Sequence, residues 1–296
     1  MAEKSILITG CSTGIGYTCA LGMKERGWRV FATARNDADL ARLKALGLEA
    51  IYLDYTEPHS IENCANEVLA RSKGRLDVLF NNGAFGQGGA VEDLRPEVLR
   101  HQLETNVIGW HDLTCRIIPA MRQCGHGRII QCSSILGLIA LKWRGAYSAS
   151  KFAIEALSDT MRLELHGTGI FVCQIEPGPI RSKFQRHAIA NFKKTIDVEN
   201  SPHHKTYEKQ LAKTGSGRSS VGWEPESPQQ SRTRTGKNWL PKYRLGPDAV
   251  LDKLIHAVES SRPKPHYYVT LPTHMGAFAR RVLAGRWFDA FSRKIS

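Results

Sequence analysis

Short apolar runs alternate with amphipathic helical patterns along most of this 296-residue chain. The runs, which are rich in branched side chains, lie at 5–9, 29–34, 48–53, 76–81, 128–132, 170–175 and 267–271. The helical patterns lie at 15–26, 38–46, 61–71, 96–123, 149–166 and 247–260. Strands that alternate with helices are typical of a parallel sheet with helices on both faces, and continuous apolar strands suit burial on both sides. The sequence therefore predicts a doubly wound α/β fold with about seven parallel strands.

A glycine-rich turn joins the first run to the first helical pattern. It reads Thr9-Gly10-Cys11-Ser12-Thr13-Gly14-Ile15-Gly16. Gly10 allows the tight turn, Gly14 and Gly16 let backbone and helix approach a pyrophosphate, and the helix N-terminus offers free N–H groups to that anion. The spacing is TGxxxGxG rather than GxGxxG, and a glycine turn alone is weak evidence. Its place between strand and helix nevertheless predicts a Rossmann-type dinucleotide site.

Tyr147 and Lys151 lie four residues apart in a helical pattern, 131 residues after Gly16. Positions i and i+4 share one face of a helix, so both side chains are expected in one site. A lysine cation beside a phenol favours the phenolate, whereas a free tyrosine, with a pKa of about 10, is a poor proton donor near neutrality. Together with the glycine turn, the pair predicts a nicotinamide-dependent oxidoreductase with a tyrosine proton donor. The alternative is a surface helix that carries an incidental tyrosine and lysine.

Further motifs follow the predicted strands in a fixed order. They are Thr9–Gly16, Asp54 after the third strand, Asn81-Asn82 after the fourth, Asn106 in Thr-Asn-Val-Ile-Gly, Ser133-Ser134 after the fifth, Tyr147 with Lys151, and Pro177-Gly178 after the sixth. With these motifs the chain resembles the short-chain dehydrogenases/reductases over nearly its whole length, residues 213–244 excluded. Within that family it is similar to bacterial NADP-dependent aldehyde reductases and, beyond them, to hydroxysteroid and retinol dehydrogenases. The resemblance implies the strand order 3-2-1-4-5-6-7.

The resemblance also implies four catalytic residues. Tyr147 would donate a proton to the substrate oxygen in reduction, or remove it in oxidation. Lys151 would lower the pKa of that tyrosine and bind the nicotinamide ribose. Ser134, thirteen residues before Tyr147, would hold the carbonyl oxygen, with Ser133 as its adjacent rival. Asn106 would position a water in a proton relay behind Lys151.

The end of the second predicted strand bears on the choice of cofactor. An NAD site commonly has an acidic residue there, but this strand ends Ala32-Thr33-Ala34-Arg35. Arg35 could pair with a 2′-phosphate, with Ser12 as a second donor, so we expect NADP(H). The contrary interpretation uses Asp37 as the ribose acceptor, although its position suits a helix cap. The predicted cofactor-binding residues are Gly10, Ser12, Thr13, Gly14, Ile15, Gly16, Arg35, Asp54, Asn81, Gly83, Tyr147, Lys151, Pro177, Gly178, Ile180 and Ser182; no metal site is predicted.

Two positions depart from the family pattern. The usual Asn-Asn-Ala-Gly is Asn81-Asn82-Gly83-Ala84 here, so the last two residues of the motif beside the adenosine are exchanged. The usual threonine near the nicotinamide amide is Ser182, which keeps the hydroxyl, so little effect is expected.

Several apolar side chains are candidates for the substrate site, although each could instead belong to the core. They are Phe85, Leu136, Leu138, Ile139, Trp143, Phe184 and Phe192. A pocket lined by them would suit a lipophilic aldehyde or ketone. The first hypothesis is therefore an NADP(H)-dependent carbonyl reductase. The alternatives are a hydroxysteroid-like or retinol-like dehydrogenase, a 3-oxoacyl reductase, and, in another class, a non-catalytic NADP-binding sensor.

The chain is predicted to be a single domain, 1–296, with two appendages. Residues 183–245 would form a substrate lid, in which 213–244 has no apolar periodicity and is expected to be a disordered insertion rather than a mobile lid. Residues 275–296 have the pattern of a basic amphipathic helix, which could pack on the domain, on a partner subunit or on a membrane surface. The net charge is +13, and residues 213–296 hold 15 Lys and Arg against 6 Asp and Glu.

The composition bears on the cellular compartment of the protein and on the classes of molecule that it binds. No apolar stretch is long enough for a transmembrane helix, and the first residues lack the layout of a signal peptide. The seven cysteines are scattered without a CxxC pair, which suits reduced thiols in a cytoplasm. We expect a small-molecule carbonyl or alcohol as substrate and no nucleic acid. The resemblance implies a homodimer or homotetramer through the helices at 96–123 and 149–166.

Overall fold

The computed structural model describes residues 3–215 and 244–295, in which seven parallel strands form one sheet. Their order is β3-β2-β1-β4-β5-β6-β7, which confirms the predicted topology. The strands are Ser5–Ile8 (β1), Arg29–Ala34 (β2), Glu49–Tyr52 (β3), Val78–Asn81 (β4), Gly127–Cys132 (β5), Ile170–Glu176 (β6) and His266–Tyr268 (β7).

Helices connect the strands and pack against one another in pairs, α1 with α9, α3 with α5 and α4 with α6. They are Gly14–Glu25 (α1), Asp37–Ala45 (α2), Pro58–Arg71 (α3), Pro96–Leu103 (α4), Gly109–Cys124 (α5), Gly145–Glu164 (α6), Phe184–Thr195 (α7), His204–Gly215 (α8), Asp248–Glu259 (α9), Leu271–Val282 (α10) and Gly285–Ile295 (α11).

The central strands supply the core and orient the site. All residues of β1 and β4 are buried, as expected for strands covered on both faces. β1 pairs in parallel with both β2 and β4, so Ile8 lies opposite Ala32 on one side and Phe80 on the other. The chain turns in opposite directions from β1 and β4, which opens a crevice beyond their carboxyl ends.

Three predicted elements have different boundaries in the structure. The long helix predicted at 96–123 is interrupted by a π-helical turn at Glu104–Ile108. The last strand ends at Tyr268, because Pro272 suits the first turn of a helix and α10 begins at Leu271. The predicted C-terminal helix is two helices, α10 and α11. α8 extends to Gly215, three residues into the predicted insertion, and 216–243 lie outside the described residues.

Candidate active site

A cavity of about 1000 Å³ lies beyond the carboxyl ends of the strands. Its lining comes from the loops that follow β1 to β6 and from residues of α2, α6, α7 and α10. All the predicted site residues line it except Gly16, Asn81 and Asn106. The fold therefore brings motifs from six strands to one space.

At one end of this cavity, the loops after β1 and β4 touch through glycines. Gly10 has a positive φ of +69°, and a Cβ there would lie 2.5 Å from the Cα of Gly83. A Cβ on Gly16 would lie 2.4 Å from the carbonyl oxygen of Gly10. Because Gly83 stands where the two loops meet, the exchanged order Gly83-Ala84 keeps a small residue at the contact.

Hydrogen bonds around Thr9 fix the same two loops. The Thr9 hydroxyl accepts the backbone N–H groups of Asn82 at 2.9 Å and Gly83 at 3.0 Å. Tyr55 donates to that hydroxyl at 2.9 Å and contacts the side-chain oxygen of Asn81 at 2.9 Å. Asn81 is fully buried and supports the loop from behind rather than facing the cavity.

The N-terminus of α1 faces the cavity and suits an anion. α1 begins at Gly14, and Thr13, its N-cap residue, makes no capping hydrogen bond through its side chain. Thr13, Gly14 and Ile15 line the cavity, and the first turn holds no acidic residue. Uncapped N–H groups and the positive end of the helix dipole form a phosphate site, so this cradle fits a dinucleotide pyrophosphate.

Two arginines stand near the end of β2. Arg35 is 64% exposed and lies 3.7 Å from the Asp54 carboxylate, a distance too long for a hydrogen bond. Arg42, on α2, donates to the backbone oxygen of Ser12 at 2.5 Å and also lines the cavity. The sequence did not indicate Arg42, because its contact with the turn depends on how α2 folds back. Asn36, not Asp37, caps α2, by accepting from the N–H of Asp39.

The predicted catalytic side chains meet at the middle of the cavity. Tyr147 and Ser134 both line this part of the cavity; burial raises the pKa of the Tyr147 phenol above the ordinary value, and the nearby Ser134 hydroxyl opposes that shift. Ser134 also accepts from the N–H of Leu136 at 3.1 Å. The rival hydroxyl of Ser133 faces Glu155 instead, which favours Ser134 as the partner of the tyrosine.

Lys151 lies beneath the Tyr147 ring rather than on its hydroxyl. Its Nζ donates to the backbone oxygen of Cys132 at 2.8 Å and lies 5.6 Å from the centroid of the tyrosine ring. The same Nζ lies 4.3 Å from the centroid of the Trp110 indole, which also stabilises the ammonium. Burial lowers the pKa of Lys151 to about 8, so this cation loses its proton more easily than an exposed lysine does.

Asn106 lies in the π-helical turn, outside the cavity lining. Its Nδ2 donates to the backbone oxygen of Phe85 at 2.9 Å and to Ser150 at 3.1 Å, while its Oδ1 accepts from the N–H of Phe85 at 3.2 Å. Single π turns occur mostly at functional sites. Here the turn lets a helix side chain hold the loop after β4 against α6.

Behind the catalytic residues, Glu155, Glu176 and His266 form a buried cluster. Their ligand-type atoms lie within 4.8 Å of one another, but hydrogen bonds already link the group: His266 contacts Glu176 at 2.7 Å, and Gln174 donates to Glu155 at 2.7 Å. Burial raises the pKa of Glu155 to about 7, and its carboxylate raises the pKa of Lys151. The cluster therefore couples electrostatically to the active site.

The other end of the cavity has apolar walls. Of the predicted candidates, Phe85, Leu136, Ile139 and Phe184 line it. Trp143 and Phe192 instead pack on Tyr207 beside an adjoining cavity of about 230 Å³, and Leu138 lines neither. Residues that the sequence did not indicate also line the main cavity: Leu141, Arg144, Leu271, Pro272 and Met275.

Comparison with known proteins agrees with this geometry. Residues 4–192 match a family model described as short chain dehydrogenase. An uncharacterized oxidoreductase of Escherichia coli, YbbO, is 37% identical over 287 residues, 97% of this chain and 93% of that protein. A 3-ketodihydrosphingosine reductase of Bacteroides thetaiotaomicron is 35% identical over 185 residues, 62% of this chain and 66% of the relative. The actinorhodin polyketide ketoreductase, solved with NADPH, aligns with a TM-score of 0.67 and 25% identity, over 90% of this chain and 95% of that chain.

Within residues 3–215 and 244–295, every helix is too short or too polar to cross a membrane.

Proposed function

The chain belongs to the short-chain dehydrogenase family and is an oxidoreductase, and from that premise we propose that it reduces lipophilic aldehydes or ketones with NADP(H). The observation that carries this proposal is a single cavity that joins the glycine turn to the side chains of Tyr147 and Ser134. A dinucleotide bound along the turn would extend toward these two hydroxyls, so cofactor and carbonyl would share one space.

The cofactor end of the cavity supports a phosphorylated dinucleotide. The uncapped first turn of α1 would hold the pyrophosphate. Arg35 and Arg42 would flank a 2′-phosphate, and β2 is followed by an arginine rather than a carboxylate, which favours NADP(H) over NAD(H). When bound, NADPH supplies the hydride that reaches the carbonyl carbon.

Residues of the chain would donate the proton and stabilise the negative charge that develops on the carbonyl oxygen. Burial keeps the Tyr147 phenol protonated, which is the state that reduction requires at the start. Ser134 donates to the carbonyl oxygen, and Tyr147 transfers its proton to that oxygen as the carbon receives hydride, which yields an alcohol. The Lys151 ammonium beneath the ring stabilises the phenolate left behind.

The substrate class follows from the apolar end of the cavity. Phe85, Leu136, Ile139, Phe184 and Met275 line the cavity, and the centroid of the Phe184 ring lies 5.4 Å from that of the Tyr147 ring. An apolar chain would be desolvated there, whereas a small polar carbonyl would gain little. A relative named 3-ketodihydrosphingosine reductase and a neighbour named polyketide ketoreductase, solved with NADPH, support ketone reduction with this cofactor.

A screen of NADPH oxidation against aldehydes and ketones of graded chain length tests the proposal. We expect kcat/KM to rise with chain length. Oxidation of hydroxysteroids or retinol in preference to any reduction would favour the dehydrogenase alternative, and selective turnover of 3-oxoacyl thioesters would favour the lipid-synthesis alternative. Binding of NADPH without turnover of any carbonyl would favour the sensor.

Tyr147→Phe checks the assigned proton donor. Because general acid catalysis contributes about 10²–10⁴-fold, we expect kcat to fall by that factor while NADPH binding, measured by fluorescence titration, stays unchanged. Ser134→Ala should lower kcat more than Ser133→Ala, because the Ser134 hydroxyl is near Tyr147 whereas that of Ser133 faces Glu155. Unimpaired turnover by Tyr147→Phe would remove the mechanism.

The assembly proposed for the chain is a homodimer or homotetramer. Ile108, Leu157 and Leu163, in the π turn and on α6, are exposed large apolar side chains. Faces of this kind are commonly covered by a second copy. Light scattering that finds only monomer would contradict this assembly.

A further inference from the structure

α10 presents an apolar stripe to solvent. Leu271, Met275, Phe278 and Val282 are 52%, 53%, 67% and 61% exposed, and their spacing of four, three and four residues puts them on one face. The opposite face is small and buried and packs on Ile135 and on the wall of the cavity. The stripe is therefore an outer surface of the protein rather than a part of its core.

The direction of this stripe is fixed by Arg280. Its guanidinium donates to the backbone oxygen of Leu138 at 2.7 Å and lies 4.7 Å from the centroid of the Phe152 ring. These contacts hold the C-terminal half of α10 on the body of the protein. The stripe cannot turn inward without breaking them.

The next helix extends the stripe with features of an interfacial helix. Trp287 on α11 is 73% exposed, and Leu283 in the linker is 36% exposed. Residues 271–295 hold five Arg and Lys against one acidic residue, Asp289. An exposed apolar face that contains a tryptophan and is flanked by arginines is complementary to an anionic lipid surface. The apolar side chains contact the lipid chains, and the arginines contact the anionic headgroups.

The stripe also begins at the mouth of the main cavity. Leu271 and Met275 are exposed and line that cavity at the same time, and Pro272 lies between them. If a lipid surface covered the stripe, a substrate that left this surface would enter the cavity and reach Phe184 and Tyr147 without crossing bulk water.

We propose that α10 and α11 dock on an anionic lipid surface and open the cavity toward it, so that lipophilic carbonyl substrates enter from the membrane. The docking rests on the exposed stripe and its charge, and only the route of the substrate rests on the proposed reductase function. The docking is reversible and peripheral, because an apolar stripe on two short helices lies in the plane of the membrane interface and does not cross the bilayer.

Flotation with vesicles tests the docking. Full-length protein is mixed with vesicles of phosphatidylcholine, or of phosphatidylcholine with phosphatidylglycerol, at low and high salt. We expect flotation with the anionic vesicles and its loss at high salt. The variants are Phe278→Glu and Trp287→Glu, neither of which lines the cavity. Each should weaken binding by about tenfold or more, because a buried aromatic contributes about 1.5–3 kcal/mol.

Val91→Glu provides the comparison, because Val91 is 74% exposed and lies outside the stripe. It should float as wild type does. Equal flotation of Phe278→Glu and wild type, or no flotation of wild type, would overturn the proposal. A dimer that Phe278→Glu dissociates would overturn it as well, since the stripe would then be an interface between copies.

Rates of aldehyde reduction distinguish the proposed membrane docking from the proposed reductase activity. With a short, water-soluble aldehyde, Phe278→Glu should reduce as fast as wild type. With a long-chain aldehyde held in anionic vesicles, it should be about tenfold slower, in line with its weaker binding. If wild type floats but reduces neither aldehyde, the docking stands and the proposed reductase function fails.

Discussion

The two ends of the cavity are held together in different ways. At the cofactor end, the loops after β1 and β4 are joined by backbone N–H groups of Asn82 and Gly83 that donate to Thr9. At the substrate end, Phe184 contacts Tyr147 ring to ring, and Met275 from α10 closes the wall. Backbone hydrogen bonds fix one geometry, whereas side-chain packing can be varied residue by residue. The contrast suggests a fixed cofactor site beside an adaptable substrate site.

Gly10→Ala should disrupt the cofactor end of the cavity, where the loops after β1 and β4 meet. A Cβ at this position would lie 2.5 Å from the Cα of Gly83, and the positive φ adds strain. Gly74 has a similar φ of +76°, but a Cβ there would meet nothing within 4 Å. Gly74→Ala should therefore cost about 1–2 kcal/mol of unfolding free energy, from φ alone. Gly10→Ala should cost more and weaken NADPH binding, as denaturant unfolding and fluorescence titration would measure. Equal costs for the two variants would mean that the contact between the loops is unimportant.

Arg35→Asp should change which cofactor the rigid end accepts. A charge-assisted hydrogen bond contributes about 1.5–3 kcal/mol, so loss of the cation should shift preference toward NADH by about 10–100-fold in kcat/KM. Arg95→Asp is the control, because Arg95 has the same exposure, pairs with Glu97 and lies away from the cavity. Wild-type enzyme that used NADH as well as NADPH would contradict the assignment of Arg35.

The same contrast explains what the sequence could predict. Gly10 to Ile15 belong to one contiguous turn, and Tyr147 and Lys151 share one helix, so local spacing is sufficient to predict that both groups line the cavity. Arg42 and Trp110 reach the site from helices whose packing no local pattern specifies.

The substrate end was predicted less well for the same reason. Met275 lies in the segment predicted as the amphipathic tail, and nothing in that pattern indicated that α10 would close the cavity. Trp143 lies beside Arg144 in the chain, yet only Arg144 lines the main cavity, since Trp143 turns toward Tyr207 with a positive φ of 64°. Tertiary packing decides such side-chain directions.

Phe184→Ala tests the adaptable end. Removal of this ring next to Tyr147 should raise KM for a long-chain carbonyl by about 3–10-fold, because the lost apolar contact is worth about 1 kcal/mol, and leave NADPH binding unchanged. Phe171→Ala is the control, because Phe171 is partly exposed on β6, stacks on Arg128 and lies outside the cavity. A loss of NADPH affinity in Phe184→Ala would show that the two ends are not independent.

Glu155→Gln should produce the smallest effect, a shift in the pH profile. Burial lowers the pKa of Lys151 to about 8, and the Glu155 carboxylate partly offsets that shift by raising it. The carboxyl has its own pKa raised to about 7, so it is mostly ionised where Lys151 titrates. Without this charge the pKa of Lys151 falls, and the ammonium that stabilises the phenolate is lost at a lower pH. The alkaline limb of kcat/KM for reduction should therefore move to lower pH by a fraction of a unit.

Asp159→Asn makes the same chemical change one turn further along α6. Asp159 lies 3.6 Å from His266, but it is half exposed and pairs with Arg162. It is not among the groups that shift the pKa of Lys151, so the variant should leave that limb in place. Steady-state rates from pH 6 to 10, a range that spans the pKa of Lys151 of about 8, would compare the three proteins. A purely structural role for Glu155 would lower the rate of its variant at every pH without moving the limb. A limb that moved to higher pH would contradict the sign of the coupling, and a limb that did not move would mean that the cluster behind the cavity has no electrostatic part in the reaction.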